Sequence, residues 1–499
     1  MNIELLFASP LDIAAPVLLL PLWSGGELSS EARALDEKLG GLIRSVLEED
    51  AFKPSVGATR VLHTPSLSAG RLVLLGLGAR EKFSLVKWTQ AVARGARVVR
   101  SLKRSQAALL LPSCDLSLEE LAQGATEGTI LGLHLYNDFK TDAETKALTV
   151  LDSLSLVASD EARRGELERG VHQGKIIAQG NLLARALVNA PSNTKSPQSL
   201  ALVAQSIADE HKMRCEVWDE DKMREEKMGA LFAVGVGSDN PSRFIILEYA
   251  AEGHEEDAPI VLVGKGMTFD SGGYSIKPAT SMEDMKDDMA GAAIVLGVME
   301  AVGQMKPQQR IIGLIPSAEN MIAGNAMRPG DIISARNGLT IEVLNTDAEG
   351  RLILADALSY ATELKPRAIV DYATLTGAIR VALGTEGAGL FSNDDALAEG
   401  IAKAGEHSGD KVWRFPLWDE YKDYMKGTIS DLKNIGPERA AGSIAAAIFL
   451  EKFVGAGIPW AHLDVAAVSL IREDKPLCAR GATGFGVRLT LDWLQNLQS

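Results

Sequence analysis

The apolar residues of this chain fall into two kinds of run. Short unbroken ones, Val17–Leu22, Arg71–Leu77 and Gln106–Leu111, have the length of β-strands. Between them, Ser30–Glu48 and Leu85–Arg100 repeat apolar residues every three or four positions, the spacing of one helix face. That alternation predicts a small α/β domain over residues 1–160. Gly76 and Gly78 do not complete a phosphate-binding Gly-x-Gly-x-x-Gly and read as a strand-ending turn. From Asp160 to Val188 the pattern becomes one charged amphipathic helix, which Asn189-Ala190-Pro191-Ser192-Asn193 stops. Residues 161–190 are thus expected to be a linker helix, and 191–499 a second domain.

The second domain opens with a helix, Ser196–Lys212, and a strand, Arg214–Trp218, and then repeats one arrangement. An apolar strand ends, and polar residues follow its carboxyl end. Pro259–Val263 leads into Gly264–Gly273, Arg310–Ile315 into Ser317–Asn320, and Arg367–Tyr372 into Ala373–Gly377. Trp460–Leu463 leads into Asp464. Ala335–Leu344 reads as a hairpin around Asn337-Gly338, and its second strand runs into Asn345-Thr346-Asp347-Ala348-Glu349-Gly350-Arg351-Leu352, ahead of a helical run, Leu352–Ala361. In open α/β sheets ligands bind beyond the carboxyl ends of the strands, so function belongs to this half of the chain.

Composition narrows the class. With 499 residues, 46% hydrophobic and 23% charged, the chain is that of a globular protein too long for one ordinary core. A net charge of −15 argues against non-specific binding to nucleic acid or an anionic membrane. Three scattered cysteines, Cys114, Cys215 and Cys478, form neither a disulfide framework nor a thiolate metal spacing. Met1-Asn2-Ile3-Glu4 has no basic segment leading into an apolar core, and no run approaches the roughly 18 apolar residues of a membrane span. The expected location is the cytoplasm.

The charged residues at the strand ends carry the chemistry. Asp347 and Glu349 are two apart at a strand-to-helix junction; Asp270 follows another strand end, with Lys265 before it and Lys277 after it. A further acidic group, Glu283-Asp284 and Asp287-Asp288, places Asp284 and Asp288 at the i, i+4 spacing of one helical face. Converging carboxylates repel each other unless cations lie among them, and one or two divalent metals, which also generate hydroxide for hydrolysis, meet that need. Carboxylate ligands without cysteine suit manganese or magnesium as well as zinc. Each residue alone has a plainer reading: Asp347 and Glu349 as helix N-terminal charges with Arg351 as their ion-pair partner, Lys265 as a solvated lysine, and Glu283, Asp284 and Asp287 as surface charges. Those readings leave the concentration of charge at four strand ends unexplained.

Asn345–Leu352 resembles the signature of the leucyl aminopeptidase family, cytosolic dinuclear-metal enzymes. Gly264–Pro278, Met285–Gly291 and Asp371–Gly377 are similar to further segments of that family, and the resemblance covers residues 160–499. It implies a small macro-like α/β domain followed by a catalytic α/β/α three-layer domain. It also implies removal of N-terminal residues, leucine and other apolar ones preferred, from peptides. By the resemblance, Lys265, Asp270, Asp288, Asp347 and Glu349 fall on the five metal-ligand positions, with a bridging hydroxide attacking the scissile carbonyl. Lys265 would then be neutral, its pKa strongly depressed. Lys277 falls on the position that stabilises the gem-diolate, and Arg351 on the one that holds a bicarbonate general base, completed by backbone groups of Leu375 and Gly377. Met285, Thr374 and Ala466 fall on the pocket for the first side chain, while Tyr274 and Ser469 depart from residues common there. The family assembles as homohexamers.

Two rival classes remain on the sequence: a two-metal phosphoryl hydrolase, which lacks the expected phosphate loops, and a DNA-binding or architectural role on the same scaffold, which the acidic charge disfavours.

Overall fold

A computed structural model describes residues 1–497 except Gly26, Asp50, 147–150 and Arg439. The chain divides into two compact units, residues 1–178 with 473–480, and 179–472 with 481–499.

The first unit holds a six-stranded sheet in the order Asn2–Phe7, Ser153–Ala158, Gln106–Leu110, Leu18–Trp23, Arg71–Gly78, Thr59–His63. All neighbours are parallel except the last pair. The unbroken apolar runs have a direct cause: alternate residues enter different cores. Leu19, Val73, Leu75 and Leu109 pack with Trp88 and Val92, whereas Leu18, Leu20, Leu72 and Leu74 pack with Leu35 and Ile43. A strand covered on both faces has no solvent side to make polar, and each such side chain contributes on the order of 1.5–3 kcal/mol. The single helix expected over Ser30–Glu48 is two, Ser30–Lys38 and Leu42–Glu48, because Gly40 and Gly41 take φ of +67° and +87°. Gly76 and Gly78 lie inside Arg71–Gly78 rather than in a turn beyond it, and a Cβ on Gly76 would come within 2.2 Å of the Ser55 carbonyl oxygen.

The second unit is built on a mixed nine-stranded sheet. Its order is Val412–Arg414, Ala388–Ser392, Trp460–Asp464, Ala368–Ala373, Ile260–Gly264, Arg310–Asn320, Arg243–Ala250, Arg214–Trp218, with Gly266–Asp270 paired to the far end of Arg310–Asn320. The four central strands are parallel. Val261, Val263, Ile312 and Leu314 share a core with Leu352 and Leu358 of the helix Glu349–Glu363. Gly313, of opposite parity, would meet Val295 and Met299 of the helix Ala290–Met305 with any side chain it carried. Helices therefore cover both faces, giving three layers. Residues Ala279–Met305 contain an 18-residue window of mean hydropathy 1.2, 83% of it buried, which reflects the core helix Ala290–Met305 rather than an unbroken run of membrane-spanning length. The hairpin forms from Ile332–Ser334 and Thr340–Glu342, with Gly338 at φ +88° in its turn.

Candidate metal centre

The twelve residues to which the resemblance gives metal, catalytic, anion or pocket roles all line one cavity of about 840 Å³ in the second unit. It lies beyond the carboxyl ends of the parallel strands, where Lys265 follows Ile260–Gly264, Asp270 ends Gly266–Asp270, and Thr374–Gly377 follow Ala368–Ala373.

Two lysines are threaded among four carboxylates. Lys265 Nζ lies 2.7 Å from Asp288 Oδ1 and 2.9 Å from Glu349 Oε1, and donates to the Thr374 carbonyl at 2.9 Å. Lys277 Nζ lies 2.7 Å from Asp270 Oδ2 and 2.6 Å from Asp347 Oδ1. Backbone conformation makes these approaches possible. Gly350 sits in the first turn of Glu349–Glu363, where a Cβ would come within 2.6 Å of Lys265 Nζ. Gly272, at φ +84°, would place one 2.8 Å from Asp347 Oδ1.

Neighbours to which the sequence reading gave another role or none hold the acids and Arg351 in place. Asn320 donates from Nδ2 to Asp270 Oδ1 (2.8 Å) and to the Thr346 carbonyl (2.9 Å), and the Gly272 amide donates to the same Asp270 oxygen at 2.8 Å. Thr374 Oγ1 donates to Asp288 Oδ1 at 2.8 Å. Asn434 receives the amides of Leu344 and Asn345 on Oδ1 and accepts from Arg351 Nη1 on its carbonyl at 2.9 Å. Asp464 accepts the Leu375 amide (3.2 Å) and the Thr376 hydroxyl (2.6 Å). Asn320 and Asp464 sit at strand ends, which was their one signal in the sequence; Asn434, in a loop, had none.

Burial sets the electrostatics. Desolvation, reinforced by Glu349, raises the carboxyls of Asp270 and Asp288. Burial opposes the charge on Lys277, but Asp270, Glu349, Asp288 and Asp347 outweigh it and hold the ammonium above the ordinary lysine range. Lys265 behaves likewise: burial favours the neutral amine, yet Asp288, Glu349 and Asp270 raise it. The depressed pKa expected for Lys265 presupposes dications beside it; with carboxylates alone as its nearest neighbours the direction is upward. Burial pushes Arg351 down to about 10 against the pull of Glu349 and Asp464.

Three expectations change. Asp284 and Asp288 are not on one helical face; a 3-10 turn, Met285–Asp287, separates them, leaving Asp284 paired with Arg472 at the rim (2.7 Å) and Asp288 buried. Asp287 is no surface charge. It is buried, accepts from Ser469 Oγ at 3.0 Å, and is raised by desolvation to about 6. Ser469 is therefore turned toward Asp287 and does not line the cavity.

Carboxylate oxygens of Asp270, Asp347 and Glu349 all lie within 4.8 Å of one another, close enough to share an ion. Asp288 Oδ2 and Glu349 Oε2 are buried without a hydrogen-bond partner. Buried acceptors in such surroundings call for cationic partners. The donor set, four carboxylates with a lysine amine, fits divalent cations of the manganese, zinc and magnesium kind.

Comparison with known proteins agrees with that chemistry. The catalytic-domain model of the cytosol aminopeptidase family matches residues 182–491, and the family's N-terminal-domain model matches residues 19–143. A probable cytosol aminopeptidase of Geotalea uraniireducens is 42% identical over 506 aligned positions, covering 100% of both chains. One from Syntrophotalea carbinolica is 41% identical, covering 97% of this chain and 98% of the relative. Among solved structures, a lysine-to-glutamate mutant of tomato leucine aminopeptidase is 35% identical and superposes with a TM-score of 0.90 over 99% of this chain and 96% of that one. The bottromycin maturation enzyme BotP in complex with Mn is 32% identical, with a TM-score of 0.85 over 97% of this chain and 100% of that one. With both domains matched in order and relatives aligned from end to end, this chain belongs to the cytosol aminopeptidase family, metal-dependent exopeptidases that act at peptide N-termini.

Proposed function

We propose that Lys265, Asp270, Asp288, Asp347 and Glu349 hold two divalent ions, and that the chain uses them to remove leucine-like residues from peptides. The observation that carries this reading is the meeting of these five side chains with Lys277 and Arg351 in one cavity, two buried carboxylate oxygens being without partners. Two ions held there would supply Lewis acidity and hydroxide at neutral pH. Manganese is the first candidate, given the carboxylate-rich donors and a structural neighbour described in complex with Mn; zinc and magnesium are the alternatives.

Lys277 stays an ammonium, kept charged by the acids around it, and its Nζ faces the same space as Asp270 and Asp347. It stabilises negative charge developing on the scissile carbonyl oxygen. Arg351 is buried, its Nε has no partner and its Nη1 is anchored on Asn434. A fixed guanidinium of this kind suits a planar oxyanion such as bicarbonate, which would take a proton from water. Because the Leu375 amide is engaged by Asp464, that anion would rest on Arg351 and the Gly377 backbone. Met285, Thr374 and Ala466 wall the side of the cavity assigned to the first side chain, and their small or apolar character favours leucine-like residues. The same reading takes the protein as a cytoplasmic homohexamer, which light scattering at about six times the 53.2 kDa chain mass would support.

The test compares leucine p-nitroanilide with its N-acetylated form, in manganese and after chelation. Cleavage of the free-amine substrate alone, lost on chelation and restored by manganese, is expected. Equal cleavage of the acetylated compound would refute exopeptidase action.

A further inference from the structure

Among the described residues lining the catalytic cavity are five cations: Lys265, Lys277, Arg351, Arg380 and Arg472. Four are occupied. The two lysines pair with carboxylates, Arg472 pairs with Asp284, and Arg351 is buried and anchored on Asn434. The side chain of Arg380 alone forms no ion pair or hydrogen bond with any described residue. It is exposed on the short helix Gly377–Leu383, whose Ile379 is buried against Gly389 while Ala378, Arg380 and Val381 face outward beside the cavity.

The rest of the wall makes that guanidinium consequential. The same cavity is lined by seven acids, Glu438 at its rim among them. Four of those acids are the proposed metal ligands, and Asp284 is paired with Arg472. A long peptide carries its C-terminal carboxylate out into solvent, whereas a di- or tripeptide brings it inside, where an unengaged guanidinium can meet it. Arg380 lies one helical turn, about 5 Å, beyond Gly377. That span is comparable to the about 3.5 Å that an extended peptide advances per residue, and Arg380 lines the same cavity as the metal-centre residues.

We propose that Arg380 is a specificity-determining residue that receives the C-terminal carboxylate of short substrates and so favours di- and tripeptides with a free C-terminus. This rests on the aminopeptidase reading above. The contact is remote from the reacting atoms and partly solvated, so it acts mainly on KM. Its loss is expected to cost about three- to tenfold.

The experiment measures kcat and KM for Leu-Gly, Leu-Gly-Gly and a leucyl pentapeptide, each as free acid and as C-terminal amide, in manganese-loaded wild type, Arg380→Gln and Arg380→Lys. In Arg380→Gln the acid-to-amide ratio should fall about three- to tenfold for the two short peptides, chiefly through KM, and not move for the pentapeptide. Arg380→Lys should keep most of the ratio. A ratio unchanged in Arg380→Gln at every length, or changed equally at all lengths, overturns the assignment while leaving the aminopeptidase reading intact. Failure of the wild type to cleave any of the six peptides overturns both.

Discussion

Replacing Gly350 by alanine tests the packing of the metal centre with a single methyl group. In the interior of an exposed helix this change would stabilise by about 0.5–1 kcal/mol, since glycine is a poor helix former. Here the new Cβ would lie 2.5 Å from Lys265 Cε and 2.6 Å from its Nζ, against the 3.4 Å or more of ordinary contact. Lys265 must therefore retreat by roughly 1 Å, and it has no free direction, since Asp288, Glu349 and the Thr374 carbonyl surround its Nζ. Overpacking of this kind costs about 1–3 kcal/mol, partly offset by the gain in helix propensity. A displacement of about 1 Å at a reacting centre can lower activity about 100-fold. Gly350→Ala should thus fold with a melting temperature within a few degrees of wild type yet lose about two orders of magnitude in kcat/KM on leucine p-nitroanilide. Wild-type activity in a folded Gly350→Ala protein would refute the placement of Lys265 in the reacting centre.

Three other outcomes follow from the same geometry. Lys277→Met should lower kcat about 10²- to 10³-fold while leaving bound metal, measured by elemental analysis, unchanged. Bicarbonate titrated into carbonate-free buffer at constant pH should raise the wild-type rate and leave Arg351→Met unresponsive; an equal response in both removes the anion role. Lys195 is buried, donates to the Leu187 and Lys286 carbonyls at 2.8 and 2.7 Å, and burial lowers its pKa to about 7. The unfolded chain then holds a proton that the folded one has released, so stability rises with pH from about 7 toward the ordinary lysine pKa near 10.4. Lys195→Met should flatten the rise in melting temperature between pH 7 and 9, and a slope unchanged from wild type would contradict the assignment.

How far the sequence could be read depended on how local each cause was. Val17–Leu22 and Arg71–Leu77 were legible because burial on both faces leaves an unbroken apolar run. Thr59–His63 was missed because an edge strand with only Leu62 buried carries no such run. The acids of Asn345–Leu352 stood out because they are crowded into one junction. Asp287 was misread as a surface charge since its partner, Ser469, lies 182 positions away. The i, i+4 spacing of Asp284 and Asp288 misled because a 3-10 turn does not keep the α-helical period. The charge on Lys265 depends on groups at 270, 288 and 349, and only the folded arrangement says which of them lies nearest.

The central claim is that the five side chains Lys265, Asp270, Asp288, Asp347 and Glu349 hold two ions. Anomalous diffraction from manganese-soaked crystals tests it most directly. Two peaks per chain among those five side chains, with Lys265 Nζ drawn off Asp288 and Glu349 to face one of them, are predicted. A single peak, or peaks elsewhere with Lys265 still paired to both acids, would contradict the account.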